Sequence, residues 1–231
     1  MRLLMICPSR NRPDRIKEML DSFDKTKSSG TELIIYISED DYRLSEYKES
    51  LKGRDFIIGP RRSISEVYNY IACEKMPNWL YYGLIDDDHI FITPNWDSCF
   101  IEAIEKAGGF GLACGIDRLT DWEKFQHPSG CVIDGRVIRA LGYFIYPAIR
   151  HIGVDMFLGK LFMELGRLHR LTDVIIEHRH RINNMAQDDS NYQQVYSAES
   201  ISQGVAAFEE WRDNFMQDDL AKIRKEIECA C

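Results

Sequence analysis

Three adjacent carboxylates, Asp86-Asp87-Asp88, close the apolar run from Trp79 to Ile85. Side by side they repel one another unless solvent, basic groups or a cation compensates them. On a strand Asp86 and Asp88 point to one side and Asp87 to the other, and once the chain turns both outer carboxylates can reach a common divalent ion. A solvated acidic turn is the plain alternative; the apolar Leu84-Ile85 anchor and the strand-before-helix pattern favour the metal. His178 and His180 form a second cluster, at alternating positions after Val174-Ile175-Ile176, so that both imidazoles can project to one face. One of them would complete a mixed oxygen and nitrogen site suited to manganese or magnesium when phosphate oxygens supply the remaining ligands. The seven cysteines do not cluster near these residues, which disfavours zinc.

Two arginine pairs add the charge an anionic ligand needs. Arg10 and Arg12 lie in the polar stretch Pro8–Pro13, and Arg61 and Arg62 follow Gly59-Pro60. Taken alone either pair is ordinary surface charge; at one sheet edge beside an acidic turn, both would direct guanidinium groups toward a diphosphate.

The elements that must bring these residues together follow from periodicity. Leu3 to Cys7, Leu33 to Ile37, Phe56 to Ile58 and the run ending at Ile85 read as buried strands, each closed by polar loop residues. Pro13 suits the first turn of a helix carrying Ile16, Met19, Leu20 and Phe23 on one side. Ser63 with Glu66 three positions on predicts a capping box. Trp96 to Ile104 predicts a helix closed by Gly108-Gly109, Val137 to Leu141 and Met156 to Leu165 predict two more, and Leu112 to Cys114, Cys131 to Ile133 and Val174 to Ile176 predict short strands. Arg181 to Tyr192 reads as turn-rich, leading to a helical tail anchored by Phe208, Trp211 and Phe215. This alternation predicts an α/β fold with a mostly parallel central sheet whose functional edge lies at the carboxyl ends of the strands. Residues 1–192 are expected to form one domain, with 193–231 a C-terminal helical extension packed on it.

Composition bounds the reading. The chain has 231 residues, 45% of them hydrophobic, enough for one large domain and too ordinary for a fibrous or wholly disordered protein. Its 29 basic and 37 acidic residues give a net charge of −8, so no nucleic-acid partner is expected. No apolar stretch is long enough to span a bilayer, and the start of the chain is too short for a secretory leader, which makes a cytoplasmic location the expectation. The odd cysteine count favours a reducing compartment, with Cys7, Cys73, Cys99, Cys114 and Cys131 buried and Cys229-Ala230-Cys231 a frayed tail. Trp79 and Trp96, which flank the acidic turn, should brace its strand and the helix that follows, and Trp211 should anchor the tail. Trp122, among Asp117, Arg118, Asp121 and Glu123, is the tryptophan placed to line a cleft, with acidic neighbours that can hydrogen-bond hydroxyl groups.

Asp155 is the remaining carboxylate with a chemical position: it follows a turn-like Gly153 and opens the Met156–Leu165 helix, either as a helix cap or as a general base facing an acceptor.

In their order, Cys7-Pro8-Ser9-Arg10-Asn11-Arg12, Ser38-Glu39-Asp40-Asp41, Ile85-Asp86-Asp87-Asp88, His151-Ile152-Gly153-Val154-Asp155 and Glu177-His178-Arg179-His180 resemble the signposts of the glycosyltransferase A-type (GT-A) fold, in the style of small family-2-like enzymes of phages and bacteria. The resemblance runs from Leu3 to about Asp189 and implies a Rossmann-like nucleotide-binding half. It further implies that Pro8, Ser9, Arg10 and Arg12 contact the nucleotide, that Glu39 or Asp40 contacts its base or ribose, and that Asp86-Asp87-Asp88 is the Asp-any-Asp metal motif. His178 or His180 would complete the metal shell, and Asp155 would be the base of an inverting transfer. The Gln-any-any-Arg-Trp pattern of processive polysaccharide synthases is absent.

The function so implied is manganese- or magnesium-dependent transfer of a sugar from a nucleoside-diphosphate sugar, UDP first by family frequency, to a hydroxyl acceptor. The alternatives are a nucleotidyltransferase, which the absence of a glycine-rich loop after the first strand disfavours; a phosphohydrolase; and a nucleotide-sugar-binding protein without turnover.

Overall fold

Alternate residues of the first strand feed two separate cores. In β1 (Leu3–Ser9), Leu4 and Ile6 pack into one apolar cluster while Leu3, Met5 and Cys7 pack into another. A strand covered on both faces must read as continuously apolar, as this one does. The computed structural model describes residues 2–230, and within them β1 is the third strand of an eight-stranded sheet with the order Phe56–Gly59 (β3), Thr31–Ser38 (β2), β1, Tyr81–Leu84 (β4), Cys131–Asp134 (β7), Leu112–Ile116 (β6), Leu168–His178 (β8) and His89–Phe91 (β5).

The parallel half is built as the spacing predicts. β1, α1 (Pro13–Thr26), β2 (Thr31–Ser38), α2 (Leu44–Ser50), β3 (Phe56–Gly59), α3 (Ile64–Asn69) and β4 (Tyr81–Leu84) alternate, with β1 to β4 all parallel. Pro13 opens α1, and Ser63 and Glu66 close the expected capping box on α3, an arrangement worth about 1 kcal/mol. α2 has no counterpart in the sequence reading. It is a single polar helix with one buried residue, Tyr47, too short for periodicity to reveal.

The second half reverses direction twice. After β5 (His89–Phe91) and α4 (Trp96–Lys106), β6 (Leu112–Ile116) and β7 (Cys131–Asp134) enter the sheet, β7 antiparallel to both β4 and β6. β8 (Leu168–His178) follows α5 (Gly135–Leu141) and α6 (Val154–Glu164) and runs parallel to β6. Two reversals restore the direction of β4, so the carboxyl end of β8 arrives at the same edge as that of β4. β5 is a further strand the sequence reading does not contain: three residues immediately after the acidic trio, antiparallel to β8.

The tail is helical throughout. α7 (Ser190–Val195), α8 (Ala198–Asn214) and α9 (Met216–Ala230) follow a 3-10 turn at Arg181–Asn183. Trp211, Leu220 and Ile223 are buried in the cluster that also holds Leu4 and Ile6. Three expectations are corrected. Phe215 is exposed, resting on Tyr146 at 5.4 Å between ring centroids, because it sits at the junction of α8 and α9. Cys229 lies in α9 and not in a frayed end, while Cys231 is outside the described residues. Cys73 and Cys99 are half-buried, unlike the fully buried Cys7, Cys114 and Cys131. Trp79 and Trp96 are buried as expected, Trp79 donating its backbone N–H to the Tyr82 hydroxyl of β4 and Trp96 packing against Phe100 in the helix that follows the acidic turn.

Candidate metal and nucleotide site

The two reversals bring the acidic turn after β4 against the end of β8. Asp86, Asp88, His89 and His178 each present a ligand atom within 4.8 Å of the others. His178 Nε2 faces Asp88 Oδ1 at 3.2 Å, and that buried oxygen has no well-aligned hydrogen-bond donor. Two carboxylates and an imidazole nitrogen, converging with few competing donors, fit a divalent cation. His89 is less available: its Nδ1 accepts the Asp86 N–H at 3.3 Å and its Nε2 lies 2.7 Å from Ser129 Oγ.

Electrostatics set the three aspartates apart. Burial, with Asp88 alongside, pushes Asp86 up to about 7. Burial also opposes ionisation of Asp88, but the His178 charge 3.2 Å away overcomes it and holds Asp88 well below the carboxylate range. The reciprocal effect outweighs burial at His178 and raises it to about 9, whereas burial and the His178 charge push His89 down to about 3. Asp87 is not part of the cluster: β4 has ended at Leu84, and the turn directs this carboxylate to the first loop. There it accepts Ser9 Oγ at 2.6 Å and Arg12 Nη1 at 3.2 Å, tying the turn to that loop.

That loop is propped from below by the unforeseen α2. The buried Tyr47 hydroxyl lies 2.6 Å from Ser9 Oγ and accepts the Arg12 N–H at 2.8 Å. Arg12 also grips Asp189 through Nε at 2.8 Å and Nη2 at 3.0 Å, and its guanidinium stacks 4.3 Å from the Tyr192 ring. Tyr192 in turn donates to Asp88 Oδ2 at 2.7 Å and accepts from Arg15 at 3.0 Å. α7 therefore closes over the acidic turn. Tyr47, Arg15, Asp189 and Tyr192 have no site role in the sequence reading; the i, i+4 spacing of Tyr192 and Tyr196 is the signal that could have revealed a helical face there.

A cavity of about 670 Å³ opens above this cluster. Pro8, Ser9, Arg10, Arg12, Arg61, Asp86, Asp87, Asp88, His178 and His180 all line it. His180 stands apart from the carboxylates: its Nδ1 accepts the Ile182 N–H at 3.2 Å, and its ring packs edge-on against Tyr192 and Tyr196. Arg10 is held by Asp40 through a bidentate pair at 2.6 and 3.1 Å, and Arg61 bonds Gln194 at 3.1 Å. Glu39 and Asp40 are exposed beyond the lining residues.

Asp117 and Trp122 are also outside the lining. The Asp117 carboxylate is committed to the Leu119 and Thr120 N–H groups and the Thr120 hydroxyl, and Trp122 is half-buried beneath the Arg170 guanidinium at 4.7 Å. Asp155 occupies the first turn of α6, where Gly153 (φ 104°) turns the chain tightly against the backbone of Gly204. Its carboxylate has no hydrogen-bond partner among the described residues and caps nothing. Burial raises it to about 6, with His178 pulling the other way.

No protein-family profile and no curated protein matches the sequence. Solved structures do match in shape. A mannosyltransferase from Pyrobaculum calidifontis, solved with GDP-mannose and Mn2+, aligns over 99% of this chain and 80% of its own, with 13% identity and a TM-score of 0.59. Glucosyl-3-phosphoglycerate synthase from Mycobacterium tuberculosis, solved with Mn2+, UDP-glucose and phosphoglyceric acid, aligns over 90% and 80% with 15% identity and a TM-score of 0.63. TarS of S. aureus (residues 1–349) aligns over 93% and 74% with 12% identity and a TM-score of 0.55. At such identities the likeness is one of architecture, and the architecture is the GT-A-like glycosyltransferase fold.

Proposed function

We propose that this protein is a glycosyltransferase that moves a sugar from a nucleoside-diphosphate sugar, a UDP-sugar first, to a hydroxyl acceptor with inversion at the anomeric carbon. The observation that carries the reading is the convergence of Asp86, Asp88 and His178 at the floor of an arginine-bordered cavity on the functional edge of the sheet. Asp86, Asp88 and His178 would hold a manganese or magnesium ion, whose charge would stabilise the departing diphosphate.

The protein's own residues have separable tasks. Pro8, Ser9 and Arg10 border the nucleotide side of the cavity, with Glu39 or Asp40 offering acceptors to the base or ribose. Arg61 is an exposed cation for the diphosphate, and Arg12 fixes the acidic turn through Asp87 while adding positive potential. Asp155, with an unengaged carboxylate, is the base that takes the proton of the acceptor hydroxyl. Asp117 and Trp122 would act on the sugar side from outside the cavity wall.

Calorimetry with UDP, GDP, CDP and dTDP, each with manganese or with chelator, tests the reading before the acceptor is known. Manganese-dependent binding of one nucleotide is the expected result. Absence of binding by all four in folded protein overturns it.

A further inference from the structure

The ligand histidine is not held by its own strand alone. β5 and β8 pair so that His89 stands directly opposite His178, and the two rings stack with centroids 4.1 Å apart and 22° between planes. The hydroxyl of Ser129, delivered from the loop before β7, bridges them: Oγ is 2.7 Å from His89 Nε2 and 3.2 Å from His178 Nδ1.

The proton position on His89 follows from its bonds. His89 Nδ1 accepts the backbone N–H of Asp86, so a neutral His89 carries its proton on Nε2 and donates it to Ser129. One lone pair of Ser129 Oγ is thereby occupied, and the other faces His178 Nδ1. If His178 donates from Nδ1 into that second lone pair, its Nε2, 3.2 Å from Asp88 Oδ1, is the nitrogen that a cation can take in place of a proton. The opposite arrangement, with Ser129 donating, would place a proton on Nε2 and deny that atom to a cation.

The backbone is shaped to make the bridge. Gly130, at φ 58°, follows Ser129, and a side chain there would press on the His89 ring 3.2 Å away. Glycine lets the loop come this close and sets the serine hydroxyl beside both rings.

We infer that Ser129, oriented by His89, is a positioning residue that fixes His178 with its proton on Nδ1 and its Nε2 free for a divalent cation. This rests on the metal reading above. Ser129 touches neither donor nor cation in this arrangement; it acts through His178.

The test uses the full chain and manganese alone. Calorimetric Mn2+ affinity of S129A is expected to fall 10- to 100-fold, with S129T restoring most of it through its retained hydroxyl. Nitrogen-15 spectra of the imidazoles in the Mg2+-loaded protein should show protons on His89 Nε2 and His178 Nδ1, the latter signal weakening or shifting in S129A. Unchanged affinity in folded S129A, or equal losses in S129A and S129T, would overturn the inference, as would a proton on His89 Nδ1. Failure of the wild-type protein to bind Mn2+ overturns the metal reading instead, and the His89 proton position, measured without metal, then decides the relay on its own.

Discussion

His89 and His178 are cross-strand partners, and their pairing locks the acidic turn to the end of the eleven-residue strand β8. Asp88 and Arg179 extend the link, the Arg179 N–H donating to the Asp88 carbonyl at 2.9 Å. The carboxylates and the imidazole proposed to hold the cation are therefore tied together through paired strands, as a preorganised cation site requires.

Removal of the Asp88 carboxylate should separate metal-dependent from metal-free donor binding. Asp88 faces His178, Arg15 and Tyr192 at once. In D88A, manganese-dependent UDP binding is expected to weaken at least tenfold, while the smaller metal-free binding changes little. Equal UDP affinity with and without manganese in the wild-type protein, measured at saturating metal, would end the role proposed for this site.

The two histidines of the Glu177–His180 stretch should behave differently. H178A is expected to lose manganese affinity by roughly 10- to 100-fold with a small change in melting temperature. His180 caps the 3-10 turn and supports Tyr192 and Tyr196, so H180A should cost stability, on the order of 1–2 kcal/mol, with metal affinity largely kept. A manganese-bound crystal structure with His178 remote from the ion would reject the assignment.

D155N should retain the fold and nucleotide binding yet lose transfer by roughly two to four orders of magnitude, because the amide cannot take the acceptor proton. Burial raises Asp155 to about 6. Below that value the carboxyl is protonated and cannot act as base, so the transfer rate should fall as the pH drops through 6, or somewhat lower once a bound cation favours the ionised form. A retained anomeric configuration, or near-normal D155N transfer, would remove Asp155 from the mechanism.

The tail should prove integral to the core. Buried Asp219 accepts the Trp211 indole N–H at 2.9 Å, the Tyr143 hydroxyl and Lys222 at 2.9 Å. D219A leaves the indole and phenol donors without their partner, at a cost of about 2–4 kcal/mol. Denaturant unfolding checks this; a loss under 0.5 kcal/mol would mean that the tail is only loosely attached.

The parallel half of the sheet was legible because it is covered on both faces: Leu3 to Cys7 and Leu33 to Ile37 can only be buried strands, and the polar residues after them must lie at one edge. The same logic put Asp86-Asp87-Asp88 at that edge, where the turn directs Asp87 toward Ser9. Short pieces escaped it. α2 buries one residue and β5 spans three, so neither has a period to read.

Sequence by itself determined the strand-helix alternation, the acidic edge and two candidate histidines at equal standing. Only the tertiary structure decided between them. The reversals at β7 restore the direction of β8, its register with β5 places His178 against Asp88, and the chain's next turn commits His180 Nδ1 to the Ile182 N–H. Strand alternation says which side a residue faces; which partner waits on that side depends on pairings between segments far apart in the chain, and no local pattern records them.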